Sequence, residues 1–390
     1  MKRSLATLTV VPATAAVLLG LAAPVSASTI TIPSDTALHW GRYFGDHTNA
    51  DDEITPSPAR INLPAPVKQL STSNSTQYAL LTNGQVWAWG QGTNGELGNG
   101  ARVNRFKAAV QVKFPRRVTI AFMPQDANPY DSAMAVDTRG QAWGWGLNSH
   151  GEFCNGTTQA TDVPKKIPLP GQVTTLAGAN AHAVYDAGGT VYTCGANYRG
   201  LSGTPVPVKG LPPRVAVTEL LSGFGNAGAL LANGQYYDWG NNAQGQLGNG
   251  TTSPTATAKP QHVLLPGRVA QAYQGGSAPG NGQTLVMLAD GSLYAWGSNS
   301  FGQLGTGNTA NEDFPVPFSP PAGVTYATLA TGGATSYAVD THGNVWAWGE
   351  GTFGELGNGA EHNSLRPVET IGAASMVSST ASNAAAANAG

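Results

Sequence analysis

Short apolar runs recur along the chain, each broken by glycine and each alternating with the two-residue period of a strand rather than the longer period of a helix. VTTLAG (173–178), VTELLSG (217–223) and YATLATG (326–332) are three such runs, each ending in glycine, and SYAVD (336–340) follows the last of them. Turn signals come next: TNG at 82–84, ANG at 232–234, ADG at 289–291 and DTHG at 340–343. Asn-Gly and Asp-Gly supply the positive φ angles that tight hairpins need. A third strand ends in Trp-Gly, a glycine-rich turn follows, and a fourth edge strand leads into a proline-containing connection. The pattern predicts small antiparallel sheets of about four strands.

These sheets repeat. Residues 87–100 read WAWGQGTNGELGNG, 143–156 WGWGLNSHGEFCNG, 237–250 YDWGNNAQGQLGNG, 294–307 YAWGSNSFGQLGTG and 346–359 WAWGEGTFGELGNG. Weaker copies stand at 37–45 (ALHWGRYFG) and 191–203 (VYTCGANYRGLSG). The aligned glycines Gly41, Gly90, Gly146, Gly195, Gly240, Gly297 and Gly349 are spaced 49, 56, 49, 45, 57 and 52 residues apart. Seven copies at this period specify a repeat architecture. All nine tryptophans fall in this one segment, which assigns them to the packing of each repeat rather than to a ligand-binding aromatic box.

One such sheet cannot bury both faces, whereas seven packed radially can. The first copy has no preceding strands of its own beyond the amino-terminal apolar segment. At the other end, ASMVSSTASNAAAANAG (374–390) lines up without gaps with residues 68–84. The carboxyl terminus therefore supplies the first strands of a sheet whose later strands come from the amino terminus. The expected fold is all-β, a seven-bladed β-propeller with the ring closed by pairing of N- and C-terminal strands, which removes exposed edges.

Composition sharpens this picture. Charged residues make up 11% of 390 positions, glycine supplies 51 and proline 26, and the formal net charge is −2. A surface built throughout for nucleic acid is excluded by that balance, and two cysteines exclude a disulfide scaffold. Residues 1–27 read as a signal peptide: Lys2 and Arg3, an apolar stretch from Leu5 to Ala23, then Val25-Ser26-Ala27. The expectation is cleavage after Ala27, a secreted, soluble propeller over 28–390, and no membrane insertion of the mature chain.

The motif WG-x4-GQLG-x-G, preceded by a hairpin turn and a strand of small residues, resembles the regulator of chromosome condensation repeat family over about residues 28–390. The resemblance implies a seven-bladed propeller and little about activity, because one propeller family hosts many partners. The family's namesake is a chromatin-bound nucleotide-exchange factor for a small GTPase, and related secreted bacterial propellers include β-lactamase inhibitors. An exported chain meets neither chromatin nor that GTPase, and no insertion resembles the namesake's exchange wedge.

Departures from the repeat mark candidate sites. The first copy replaces its GQLG turn with GDHTNADDE, placing Asp46, Asp51, Asp52 and Glu53 together. That spacing matches no calcium loop, so it reads as a solvated acidic loop and no metal is expected. Arg102, Arg105, Lys107, Lys113, Arg116 and Arg117 form a basic run with no acidic residue between Leu97 and Gln125. The run suits an anionic partner surface or an edge strand guarded by charge. Cys154 replaces the second glycine of the GELG turn and Cys194 the motif tryptophan, in consecutive copies. Either a disulfide between neighbouring blades or two buried thiols accounts for them.

Catalytic signatures are missing. DTRG (137–140) and DTHG (340–343) are hairpin turns, and GxSxG, HExxH, Walker and CxxC motifs do not occur. Glu96, Glu152 and Glu355, with Gln246 and Gln303, share one column of the GxLG turn, where a local backbone hydrogen bond is the expected role. The favoured function is a non-enzymatic, secreted, monomeric binding propeller without cofactor. Its partner would be an unknown protein or cell-surface ligand, and not nucleic acid. The alternatives are a regulator of a partner enzyme, inhibitory or exchange-factor-like, and an enzyme with its site at the channel mouth. The inner strands, mostly apolar or small, weigh against the last.

Overall fold

Seven four-stranded antiparallel sheets stand around a common axis, with no helix among the described residues. The computed structural model describes residues 5–10, 28–42, 54–73, 76–124, 131–179, 181–197, 200–276, 282–379 and 383–387. Asp46, Asp51, Asp52 and Glu53 lie outside them. In blade 2 the strands run outward as Val67–Ser73, Thr76–Leu81, Val86–Gly90 and Arg105–Gln111. Blades 3 to 7 repeat that order and begin at Ile120, Val173, Val217, Val269 and Tyr326.

Blade 1 is shared by the two ends of the chain. Its inner strands Met376–Ser379 and Asn383–Ala387 pair with Thr36–Arg42, and Ile54–Asn62 forms its outer edge. The seam registers Ala37 against Ala387, Trp40 against Ala384 and Gly41 against Asn383. In blade 2 the equivalent glycine, Gly90, faces Thr76. Asn383 thus matches Thr76, one residue from the ungapped sequence alignment. A slip of one exchanges the two faces of a strand. The run Ala384–Ala387 carries no alternation that could fix the register; packing against the Trp40 strand fixes it instead.

Leu5–Val10 pairs with Ser28–Pro33 in a two-stranded ribbon outside all seven blades.

Seven apolar clusters of described residues fill the gaps, one between each pair of neighbouring blades. Trp40, Trp89, Trp145, Trp239, Trp296 and Trp348, the second aromatic of the motif, are each at most 1% exposed. The indole of one blade reaches the GxLG turn of the blade before it. Trp145 Nε1 donates to the Glu96 carbonyl at 2.8 Å, Trp296 to Gln246 at 3.0 Å, Trp348 to Gln303 at 2.9 Å and Trp40 to Glu355 at 2.8 Å. Tyr78 and Tyr337 hydroxyls add second donations to the Glu96 and Glu355 carbonyls, at 3.0 and 2.7 Å.

The turn glycine beneath each indole is required. Gly98 has φ +59°, and a Cβ there would stand 2.8 Å from Trp145 Cδ1. The contact recurs for Gly248 on Trp296, Gly305 on Trp348 and Gly357 on Trp40. Only glycine combines a left-handed backbone with that close approach. At the gap between blades 3 and 4 both partners are exchanged, and Cys154 is bonded to Cys194 with Cα atoms 5.5 Å apart.

Candidate functional site

The two flat faces of the ring are made differently. One carries the hairpins between second and third strands and the connections from each outer strand to the next inner strand. The other carries the glycine-rich turns. The basic run does not form one patch. Arg102 and Arg105 stand where the outer strand of blade 2 begins, Lys107 lies within it, and Lys113 follows its end, all exposed. Arg116 and Arg117 reach the hairpin face, since the connection continues to Ile120, whose N–H donates to the Gly84 carbonyl at 3.1 Å.

There they join residues from other blades. Arg139 tops the hairpin of blade 3, Lys165 and Lys166 end its outer strand, Lys209 and Arg214 lie between blades 4 and 5, and Arg268 lies between blades 5 and 6; all are exposed. Arg117 and Arg214 occupy the same turn position, with φ of +67° and +64°. Asp137 and Asp186, acidic residues of this arc, are buried inside their hairpins, at 2% and 5% exposure. Asp137 accepts from the backbone N–H groups of Arg139 and Gln141 at 2.9 and 3.1 Å and from Trp143 Nε1 at 3.2 Å. Asp340 holds the DTHG turn in the same way. Both Asp-Thr segments are turn caps. The arc over blades 2 to 5 therefore presents cations over buried carboxylates, with Arg139 tied to one of them, its Nη2 3.7 Å from Asp137 Oδ2.

The glutamate and glutamine column stays with its own turns. Side chains of Glu96, Glu152, Gln246, Gln303 and Glu355 accept from the N–H two residues earlier, at 2.8 to 3.1 Å. Burial pushes the Glu96 carboxyl up to about 7, helped by the negative charge of Asp131. The five are spread one to a gap and do not converge.

The channel differs from the expectation of apolar and small residues. The third position of the inner strands holds Gln69, Thr175, Glu219, Gln271 and Thr328, a polar collar around the axis. Four of these stitch one blade to the next. Gln69 exchanges two hydrogen bonds with the Met123 backbone, at 2.9 and 3.1 Å. Thr175 Oγ1 accepts from Leu220 N at 3.1 Å, Gln271 donates to the Ala327 carbonyl at 3.0 Å, and Thr328 meets the Tyr273 hydroxyl at 2.9 Å. The sequence carried this signal in V-K-Q, V-T-T, V-T-E, V-A-Q and Y-A-T, masked by the apolar residues after it. Two cavities lie along the axis. One of about 380 Å³ includes Lys68, Phe122 and Thr328; the other, of about 340 Å³, includes Phe122, Thr175 and Glu219. Lys68, Tyr273 and Glu219 are the ionisable groups lining them, and no cluster of three or more His, Cys, Asp or Glu residues that could hold a metal occurs among the described residues.

The ring is thus a seven-bladed β-propeller whose variable chemistry lies on its hairpin face and in its channel. It is RCC1-like: the regulator of chromosome condensation (RCC1) repeat model matches residues 83–123, 233–277, 290–339 and 342–384. The chain is 28% identical to the ultraviolet-B receptor UVR8 of Arabidopsis thaliana over 353 residues, covering 87% of this chain and 78% of UVR8. It is 26% identical to the human regulator of chromosome condensation over 343 residues, covering 81% of this chain and 79% of that protein. Prp20p of Saccharomyces cerevisiae superposes with a TM-score of 0.72 at 18% identity, over 90% of both chains, a likeness of fold. Such relatives favour protein interaction or regulation over catalysis.

Proposed function

We propose that the chain is an exported, non-enzymatic binding propeller that acts as a monomer and presents the hairpin face of blades 2 to 5 to an anionic protein or cell-surface partner. One observation carries this reading: Arg116, Arg117, Arg139, Arg214 and Arg268 are exposed on one face while Asp137 and Asp186 are buried beneath it. Clustered cations of that kind steer an anionic partner and set its orientation. Prp20p is known for binding Gsp1p and histones, which supports a protein-binding role for this type of ring. Lys68 and Tyr273 in one axial cavity and Glu219 in the other do not form an acid, base and nucleophile set.

Export is part of the proposal. Removal of residues 1–27 takes away Leu5–Val10, which packs beside the outer strand Ser364–Ala373 of blade 7 but, like its partner Ser28–Pro33, pairs with no blade strand. The seven sheets keep all their strand pairings without it.

The test has two arms. Amino-terminal sequencing of protein recovered from the producer's medium should begin at Ser28; retention of residues 1–27 in folded, cell-internal protein defeats export. Affinity capture by the double variant Arg116→Glu, Arg139→Glu should lose the salt-sensitive partners that the unmodified protein retains. Undiminished capture would remove the hairpin face as the binding surface.

A further inference from the structure

Glu219 breaks the rule of its own collar. Gln69, Thr175, Gln271 and Thr328 stand at the same register and hydrogen-bond across to a neighbouring inner strand. Glu219 Oε1 is withdrawn from solvent and finds no partner among the described residues. It lines the axial cavity of about 340 Å³, a volume within the range of small-ligand sites. The residue as a whole is half-buried, but a carboxylate oxygen kept from water without a donor or countercharge is costly. No Lys or Arg lines this cavity; Lys68 faces the adjoining one and donates to the Ala121 carbonyl at 2.7 Å.

We propose that the cavity beside Glu219 binds a small organic ammonium ion. Its walls fit that class. Phe122, Met123, Leu176 and Leu220 provide an apolar and aromatic lining, suited to the methylene or methyl groups of such a cation and to its attraction for a ring. Thr174 and Thr218 stand exposed at the rim, their hydroxyls hydrogen-bonded to Asp186 and to the Leu230 carbonyl at 3.1 Å respectively. A hard metal ion needs several oxygen ligands around it, and one carboxylate does not supply them. A neutral polar ligand would leave the carboxylate without its countercharge.

Binding is linked to protonation. Burial alone pushes the Glu219 carboxyl up to about 7. Among the described residues lining this cavity from blades 2 to 6, Glu219 is the single titratable group. A cation selects the ionised form, so affinity should rise from pH 6 to pH 8.

Calorimetric titration of the purified chain with butylammonium and tetramethylammonium, against neutral 1-pentanol and tert-butyl alcohol, tests the proposal. Expected is saturable binding of an ammonium ion, stronger at pH 8, with neutral analogues at least tenfold weaker and Glu219→Gln reduced at least tenfold. In parallel, ammonium but not alcohol should raise the denaturation temperature of the unmodified protein, a readout that needs no variant. Equal binding of ion and alcohol, unchanged binding by a folded Glu219→Gln, or no binding at millimolar concentration and pH 8 would overturn it.

Discussion

Cys194 stands where the other motif copies carry a buried tryptophan, and it is bonded to Cys154, which stands where that tryptophan would cover a glycine. Cys154 keeps the glycine's left-handed backbone, with φ +50° against +59° at Gly98. A Cβ is tolerated there because the facing indole is gone. A covalent bond between blades 3 and 4 thus replaces the indole-to-carbonyl hydrogen bond used at four other gaps.

Breaking that bond should loosen one gap of the ring. The bridge spans 40 residues, a loop for which chain-entropy arguments give about 4 kcal/mol as an upper value. Thermal denaturation with and without reductant, and of the Cys154→Ser, Cys194→Ser pair, should show a matching fall in midpoint. Equal midpoints would mean the gap is held by packing alone.

Gly98→Ala should be among the costlier single changes. It places a methyl 2.8 Å from Trp145 and forces alanine into the left-handed region, φ +59°; strain and overpacking of this kind cost about 2–4 kcal/mol. Cys154→Ala, at the same position of blade 3, meets no indole and should lose the bridge without the clash. Denaturant midpoints of Gly98→Ala and of Cys154→Ala, the latter measured against the reduced protein, separate the two effects.

The indole hydrogen bond between blades has a measurable worth. Trp145 Nε1 donates to the Glu96 carbonyl at 2.8 Å across the gap between blades 2 and 3. Trp145→Phe should lose at least about 1 kcal/mol, the value of one buried hydrogen bond. Denaturant titration checks it, and an unchanged midpoint would refute it.

Asp238 gives a prediction in pH. It is fully buried, accepting from Gln274 Nε2 at 2.7 Å, and burial raises its carboxyl well above the ordinary range. A raised folded-state value means the native form binds more protons than the unfolded one, so this group's contribution falls as pH rises above about 4. Asp238→Asn keeps an acceptor for Gln274 and removes that loss. Its denaturation temperature relative to the unmodified protein should climb between pH 5 and pH 8; a constant difference would sink the idea.

His182 acts with the opposite sign. Burial lowers its imidazole to about 4, and the ring meets the Ser222 hydroxyl at 2.9 Å. The unfolded chain then takes up protons first, so stability should fall as pH drops from about 6.5 toward 4. His182→Gln should flatten that part of the profile, and an unchanged slope in the folded variant would refute the assignment.

The ring is legible in the chain's local pattern. Glycines at Trp-Gly and GxLG steps, period-2 strands and seven copies admit few other ways to bury so many sheet faces, and Asn-Gly or Asp-Gly turns mark the hairpins. That pattern also pointed to the Glu96 column as a local backbone brace. Three things needed tertiary structure. The seam register at Asn383–Ala387 is chosen by packing, since an alanine run has no pattern of its own. The basic run of 102–117 is divided between flank and face because its residues follow one strand across the ring, and its Arg116–Arg117 end acquires partners only when Arg139, Arg214 and Arg268 arrive from other blades. Glu219 is distinguished by a missing neighbour, a relation between inner strands of adjacent blades that local sequence does not show. Local pattern fixes what each strand becomes; which side chains meet across a gap is decided by how the strands close into a circle.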